Sequence, residues 1–462
     1  MSRKSLALAG LSTALLSCIG TPAVAQSTVP LVSVSMAEDK GTTVVTAPAE
    51  APCTVCTPEA ATALNFGGPW QTRAKLTGDW GGWRNDLANC HGITFNGSFT
   101  QFYQGVESGG RDNNYFYGAR LDNLINIDGE KAGLMKGSFI NLHAETLFGQ
   151  SANFAAGTVL PVSQGQIFPV PNETVTALTG VKYTQFLSKN FAVFGGKLNT
   201  LDDFNQPYAS GRGVDAFMNT SMCLPVVVAR TLPYSTLGAG FVVLNDNQEA
   251  IFSFAALDTN NTPTNTGFPN FLDNGVVLMA QATLPVNFNG LPGHHSIGGT
   301  YSTGQYRSND RNAYFDPYEG IIDIRPQEQG SWSIFYMFDQ ALFADCCNPK
   351  RTWGIFGNVG LADENPSPIR WAGNIGFGGA SLATSRQHDT WGVGYFYNGL
   401  TQNIKDFAPR ILPLSDESGV ETFYNLGITP YWHFTTDFQV IMPGKERIDT
   451  TFVLGLRMKL DF

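Results

Sequence analysis

The sequence predicts an all-β chain, a transmembrane antiparallel β-barrel of about 16 strands behind a disordered N-terminal extension. Three observations carry this reading. An export signal opens the chain, the remainder has no apolar run near the ~18 residues a membrane helix requires, and from Ile93 onward apolar residues alternate with small or polar ones. Hydrocarbon offers no partner for unpaired backbone groups, so a membrane protein without spanning helices has to close its strands into a barrel.

Arg3 and Lys4 precede an apolar run from Leu6 to about Ile19, which leads to Ala23-Val24-Ala25. These are the three parts of a secretory signal peptide, so residues 1–25 are expected to be removed. Leu15-Leu16-Ser17-Cys18 is a loose lipoprotein box, but Leu16 is large and the Ala-x-Ala site is better formed. Loss of the two cations takes the formal charge from −10 to −12, which argues against nucleic acid as a partner. Charged residues are 14% of the chain, against about 25% in soluble domains, so charge is not what keeps this surface in contact with its surroundings.

Residues 26–68 are rich in Thr, Val, Ala and Pro and read as a low-complexity periplasmic extension without a core. Cys53 and Cys56 lie there, without a βαβ pattern or a second ligand pair, so disulfides or inert thiols are expected rather than a redox or zinc site. Residues 69–462 form the barrel domain, opened by one or two helical turns between Leu76 and Asn89.

Strands are expected near 93–106, 117–128, 137–148, 174–187, 190–200, 234–244, 249–258 and 274–285. Eight more follow near 295–307, 331–341, 352–361, 371–382, 390–399, 419–429, 432–442 and 450–462. The count is even, as single-chain bacterial barrels require. Short connections (188–190, 245–248, 430–431) fall on one side and long ones (about 149–173, 201–233, 308–330, 400–418) on the other, as periplasmic turns and external loops do. Trp332, Trp353, Trp371, Trp391 and Trp432 lie within about two residues of strand ends, where an aromatic girdle sits. In the last strand Phe452, Leu454, Leu456, Met458, Leu460 and Phe462 alternate with Val453, Gly455, Arg457, Lys459 and Asp461, placing lipid on the first set and the lumen on the second.

No catalytic, metal or phosphate-binding motif stands out, so neither an enzyme nor a cofactor is expected; Asp202-Asp203 read as a solvated loop pair. Alternation places Arg120, Asp122, Asn141, His143, Glu145, Lys182, Lys197, Asn199, Asp437 and Arg457 on the inner face. Side chains of both signs, with amides among them, suit a neutral polyol, although each could equally serve an ion-pair ladder within the wall.

The segment LTGDWGGWR (76–84) and HGITFNGSFTQFYQGVESGG (91–110) resemble the start of the carbohydrate-selective outer-membrane porins of the OprB family. GGKLNT (195–200), ASGRGVDAFMN (209–219), YSTLGAGF (234–241), DTWGVGYFYNGL (389–400) and TPYWHFTTDFQVI (429–441) are similar to that family in the same order. Cys90, Cys223, Cys346 and Cys347 depart from its pattern, as does the block Arg386-Gln387-His388-Asp389, which the family pattern has as a more acidic run.

The resemblance implies an outer-membrane porin for passive diffusion of small sugars, with membrane lipid around it. A general or anion-selective porin, or a secreted β-rich binding or adhesion protein, are the alternatives. It also makes plausible that the loop from about Leu201 to Pro233 folds into the lumen, with Gly211 and Gly213 allowing a tight path around Arg212; an external lid is the other possibility. Phe462 is expected to be read by the barrel assembly machinery. Cys90 and Cys346-Cys347 are expected on one side of the membrane, able to pair, with Cys223 excluded on an external loop.

Overall fold

The computed structural model describes residues 65–462, apart from 203, 205, 210, 311, 317–319, 325, 346–347, 384, 407–412 and the side chains of 311–325. The expected signal peptide, nearly all of the extension and the cysteines at 53, 56, 346 and 347 lie outside the described residues.

Period-two alternation becomes strands: β1 (Ile93–Ser108), β2 (Tyr115–Asp128), β3 (Ser138–Gly149), β4 (Val175–Ser188), β5 (Phe191–Asn199), β6 (Ser235–Leu244), β7 (Ala250–Asp258), β8 (Val276–Phe288) and β9 (Leu291–Arg307). After a separate hairpin, β10 (Asn312–Asp316) and β11 (Gly320–Ile324), come β12 (Gln327–Ala344), β13 (Thr352–Ala362), β14 (Ile369–Ala380), β15 (Thr390–Leu400), β16 (Glu417–Thr429), β17 (Trp432–Met442) and β18 (Thr451–Asp461). All but the hairpin join into one closed antiparallel barrel of 16 strands, with β9 beside β12 and β18 beside β1. Every expected strand is present. β9 starts earlier than expected because Asn289 and Gly290, both at positive φ, make a tight turn that lets Pro292 pair opposite Asn287. Short helices α1 (Trp83–Cys90), α2 (Thr220–Cys223) and α3 (Gln402–Asp406) complete the chain.

The faces follow the alternation. On β17 Phe438 and Met442 are exposed to the lipid side while Asp437 and Gln439 are buried within, and on β18 Leu454 is outside while Val453 and Arg457 are inside. The barrel closes through the Phe102 and Arg457 register of β1 and β18. The segment before α1 seals this seam: Leu76 N donates to Asp461 O at 3.0 Å, and Lys75 lies buried beside the Asp461 carboxylate. Trp353 stacks with Phe343 and lies 5.7 Å from Trp391 at the short-turn end; Trp371 stacks with Tyr397 at the other. Trp332 is a correction, since β12 extends five residues before it and leaves it inside the strand on the outer face.

The expectation of a polar inner face holds for only part of the wall. Phe335, Phe356, Phe396 and Phe423, on β12, β13, β15 and β16, point inward and are buried, although water should lie there. They are covered because two connections, 150–174 between β3 and β4 and 200–234 between β5 and β6, fold into the lumen. Phe217 packs 5.5 Å from Phe356 and 4.9 Å from Phe423, ring centre to ring centre. Burying one such ring contributes about 1.5–3 kcal/mol. The wall makes room with glycine: a Cβ on Gly394 would overlap Met222, and one on Gly360 would overlap Val227. Of the two placements open for the 200–234 connection, it takes the lumen, not an external lid.

Cys223 therefore lies inside the barrel on α2, its thiol donating to Phe217 O at 3.3 Å, whereas Cys90 is exposed on α1. A water-soluble maleimide is expected to label Cys90 in the folded protein and Cys223 only after unfolding, as read by peptide mass mapping. Rapid labelling of Cys223 in the folded barrel would mean that the connection leaves the lumen.

Candidate functional site

The polar part of the inner wall lies on β2 and β3, where residues two apart share a face. Asp122 pairs directly across from Glu145 in the strand register. Arg120 donates from Nε to Asp122 Oδ2 at 2.9 Å, from Nη1 to Gly165 O at 3.0 Å on the inward loop, and from Nη2 to Glu145. Glu145 also accepts from the Tyr234 hydroxyl and, at 3.1 Å, from Asn199 Nδ2. Arg212 enters from the 200–234 loop, with Nη2 3.1 Å from Glu145 Oε1 and 3.2 Å from Asp202 Oδ1. His143 bridges two carboxylates, Nδ1 to Asp202 at 2.9 Å and Nε2 to Asp122 at 3.3 Å. Two guanidiniums and an imidazole thus interlock with three carboxylates, the arrangement that lets charges stay buried.

Water reaches the edge of this cluster. The Arg212 and Asp202 side chains are 19% and 26% exposed, whereas that of Glu145 is 1% exposed. On the same connection Asp215, 47% exposed, pairs with Lys459 of β18, two strands from β2 in the barrel order. Accessible charge of both signs therefore lies along the inward 200–234 connection.

Of the residues expected to line the lumen, Arg120, Asp122, His143, Glu145, Asn199 and Arg212 come together here. Asn141 and Lys182 face each other across β3 and β4, Asn141 donating to Asn126 Oδ1 at 2.7 Å and Lys182 lying 5.9 Å from the Phe194 ring centre. Lys197 is a correction. The register pairs it with Val181 and Leu237, opposite in face to Lys182, and its Nζ donates to the carbonyls of Leu178, Pro263 and Asn265. Asn199 ends β5 and turns into the lumen, so counting back two residues from it assigns Lys197 to the wrong side. Asp437 and Arg457 face inward, but both are 1% exposed beneath the loop. Arg457 donates to Gly213 O at 3.0 Å and to Thr435 at 3.2 Å, so it holds the loop and does not border the path.

Asp202, taken from the sequence as a solvated loop residue, is part of the cluster. Only its place one turn beyond β5 could have signalled this. Tyr234, Asp215 and the wall glutamates of β16 were not singled out either, because nothing local marks what a folded-back loop will touch. Burial works against ionisation of Asp202, but His143 and Arg212 outweigh it and hold the carboxyl down, at about 2. A carboxyl depressed on folding stabilises above its ordinary value of 3.8 and loses that contribution as pH falls through the folded value. The difference in reversal potential between the wild type and Asp202→Asn is thus expected to be constant from about pH 8 to about pH 4 and to shrink only below that. A decline already near neutrality would contradict the ion pairs.

Asp122, His143 and Glu145 also have ligand atoms within 4.8 Å of one another, close enough for a metal ion. The guanidiniums of Arg120 and Arg212 already occupy those carboxylates, so a cation would have to displace or repel them.

The family model described as carbohydrate-selective porin, OprB family, matches residues 82–462. The chain belongs to this family. It is an outer-membrane porin, a channel and not an enzyme, and the reading as a secreted binding protein falls away. The high-pH structure of Pseudomonas putida OprB resembles this porin with a TM-score of 0.73 at 19% identity, covering 86% of this chain and 100% of that one. The low-pH structure of the same protein gives 0.51 at 15% identity, covering 85% and 99%. At these identities the likeness speaks for the barrel alone. No curated protein sequence matches.

Proposed function

We propose that small neutral sugars cross this porin by passive diffusion through the gap edged by Asp202, Arg212, Asp215 and Lys459. The observation that supports this is the side-by-side exposure of both charge signs along the connection that folds into the lumen. A sugar hydroxyl donates to a carboxylate or accepts from a guanidinium, so it exchanges its water for charge-assisted hydrogen bonds. An ion of either sign meets one attractive and one repulsive charge in each pair. Passage requires the exchange to be weak, and a neutral solute meets that condition without net attraction. Beyond the gap, Asn141 and Lys182 continue the polar track. The buried cluster of Arg120, Asp122, His143 and Glu145 acts behind it, fixing Arg212.

Liposome swelling with neutral sugars, amino acids and salts tests the reading. Sugars are expected to enter faster than zwitterions of equal size; equal rates would make this a general porin.

Export and assembly belong to the same proposal: residues 1–25 are removed, residues 26–68 remain as a periplasmic extension, and Phe462 is read during insertion. Phe462 N donates to Gly97 O at 3.0 Å, so its backbone also joins the seam. Deleting Phe462 is expected to lower the heat-modifiable form in the outer membrane severalfold, and normal assembly of the truncated chain would remove the idea.

A further inference from the structure

The two connections that narrow the lumen are tied to the same wall strand by the same chemistry. Glu417 and Glu421 lie four residues apart on β16 and face inward, each fully buried. Glu417 accepts the backbone N–H of Val159 at 2.6 Å and of Leu160 at 3.0 Å, both on the 150–174 connection, and that of Gly444 at 3.3 Å. Glu421 accepts the backbone N–H of Met218 and, at 3.1 Å, of Asn219, both on the 200–234 connection. The connections also bind one another, Gln164 N to Met218 O at 2.7 Å and Thr220 N to Pro161 O at 3.0 Å. Each carboxylate thus meets two consecutive amides of an irregular segment that has no ladder of its own to satisfy them.

We propose that Glu417 and Glu421 are positioning residues that set the bore: through them β16 fixes how far both connections reach into the lumen. The proposal builds on the reading of this lumen as a sugar path, but it concerns the width of the path and not the solute. One buried carboxyl group satisfies two adjacent amides at once through its two oxygens. Losing it leaves two buried N–H groups without an acceptor, which the connection can relieve only by moving toward water. That movement changes the cross-section at Arg212 and Asp215, which ride on the same connection as Met218 and Asn219.

The variants Glu417→Ala, Glu421→Ala and their Gln counterparts separate this from a merely structural role. Single-channel conductance and the polyethylene-glycol size cut-off are measured in planar bilayers, on protein first shown to be heat-modifiable and therefore closed as a barrel. Because pore width governs passage, each Ala variant is expected to shift conductance about twofold or more and to blur the size cut-off. The Gln variants keep an acceptor oxygen and are expected to fall between Ala and wild type. If the Ala variants do not assemble, the Gln variants carry the test alone through the same shift at smaller size. Assembled Ala or Gln variants with wild-type conductance and cut-off would overturn the proposal. Polyethylene glycols report the bore whatever the natural solute, so a porin without preference for sugars would sink the functional reading and leave this one standing or falling separately.

Discussion

Glu145→Ala is expected to weaken the barrel more than any other single change in the lumen. Glu145 is the shared acceptor of Arg120, Arg212, Asn199 and Tyr234, with a side chain 1% exposed. Its removal leaves the guanidiniums of Arg120 and Arg212 with Asp122 and Asp202 for support and strips the Tyr234 hydroxyl of its acceptor. Breaking a buried pair from one side costs about 3–5 kcal/mol, because the remaining charge stays where water cannot reach it. Glu145→Gln keeps the volume and one acceptor oxygen and should cost less. Urea titration of refolded protein in lipid, followed by the shift between folded and unfolded gel mobility, reads the loss. A midpoint unchanged for Glu145→Ala would mean that the cluster is wet and that its charges are independent.

Because Arg120 still supports Glu145 and Asp122, Arg212→Ala is expected to act chiefly on permeation, with a smaller stability cost than Glu145→Ala. This guanidinium is partly exposed and is carried by a loop that Arg457, Lys459 and Glu421 hold independently. Its loss leaves Asp202 and Asp215 at the edge of the path with Lys459 as the cation, so the gap becomes net negative. A unit charge about 4 Å from a passing ion in a water-like medium is worth about 1 kcal/mol, or about fivefold in partition. The permeability ratio of potassium to chloride should rise by up to about that factor at low salt and by less at high salt, where screening shortens the reach of the charge. Reversal potentials under a salt gradient measure it directly. A ratio equal to wild type would show that ions pass elsewhere, and the path would then have to be sought along Lys182.

The wall was legible because its cause is local. Each residue of a strand faces either lipid or the lumen, so Phe438, Met442 and Leu454 could be separated from Asp437, Gln439 and Val453 by parity alone. The same rule brought Arg120, Asp122, His143 and Glu145 to one face before any contact was known. It failed where parity was counted from the wrong residue, as for Lys197. It failed differently for Phe356, Phe396 and Phe423, inward residues whose apolar character has a purpose only once a loop lies on them.

What the sequence determined by itself is the barrel: the number of strands, their order and the face of most wall residues, since period-two contact with lipid acts residue by residue and needs no distant partner. What only the tertiary structure decided is the pore. Its cross-section depends on meetings such as Met218 with Glu421, 203 residues apart, and Gly213 with Arg457, 244 residues apart. A connection has no alternation to show which way it folds. Its place is chosen by wall glycines that leave room, aromatic rings that need cover and carboxylates that need amides, and those complementary parts lie on strands made long after it in the chain.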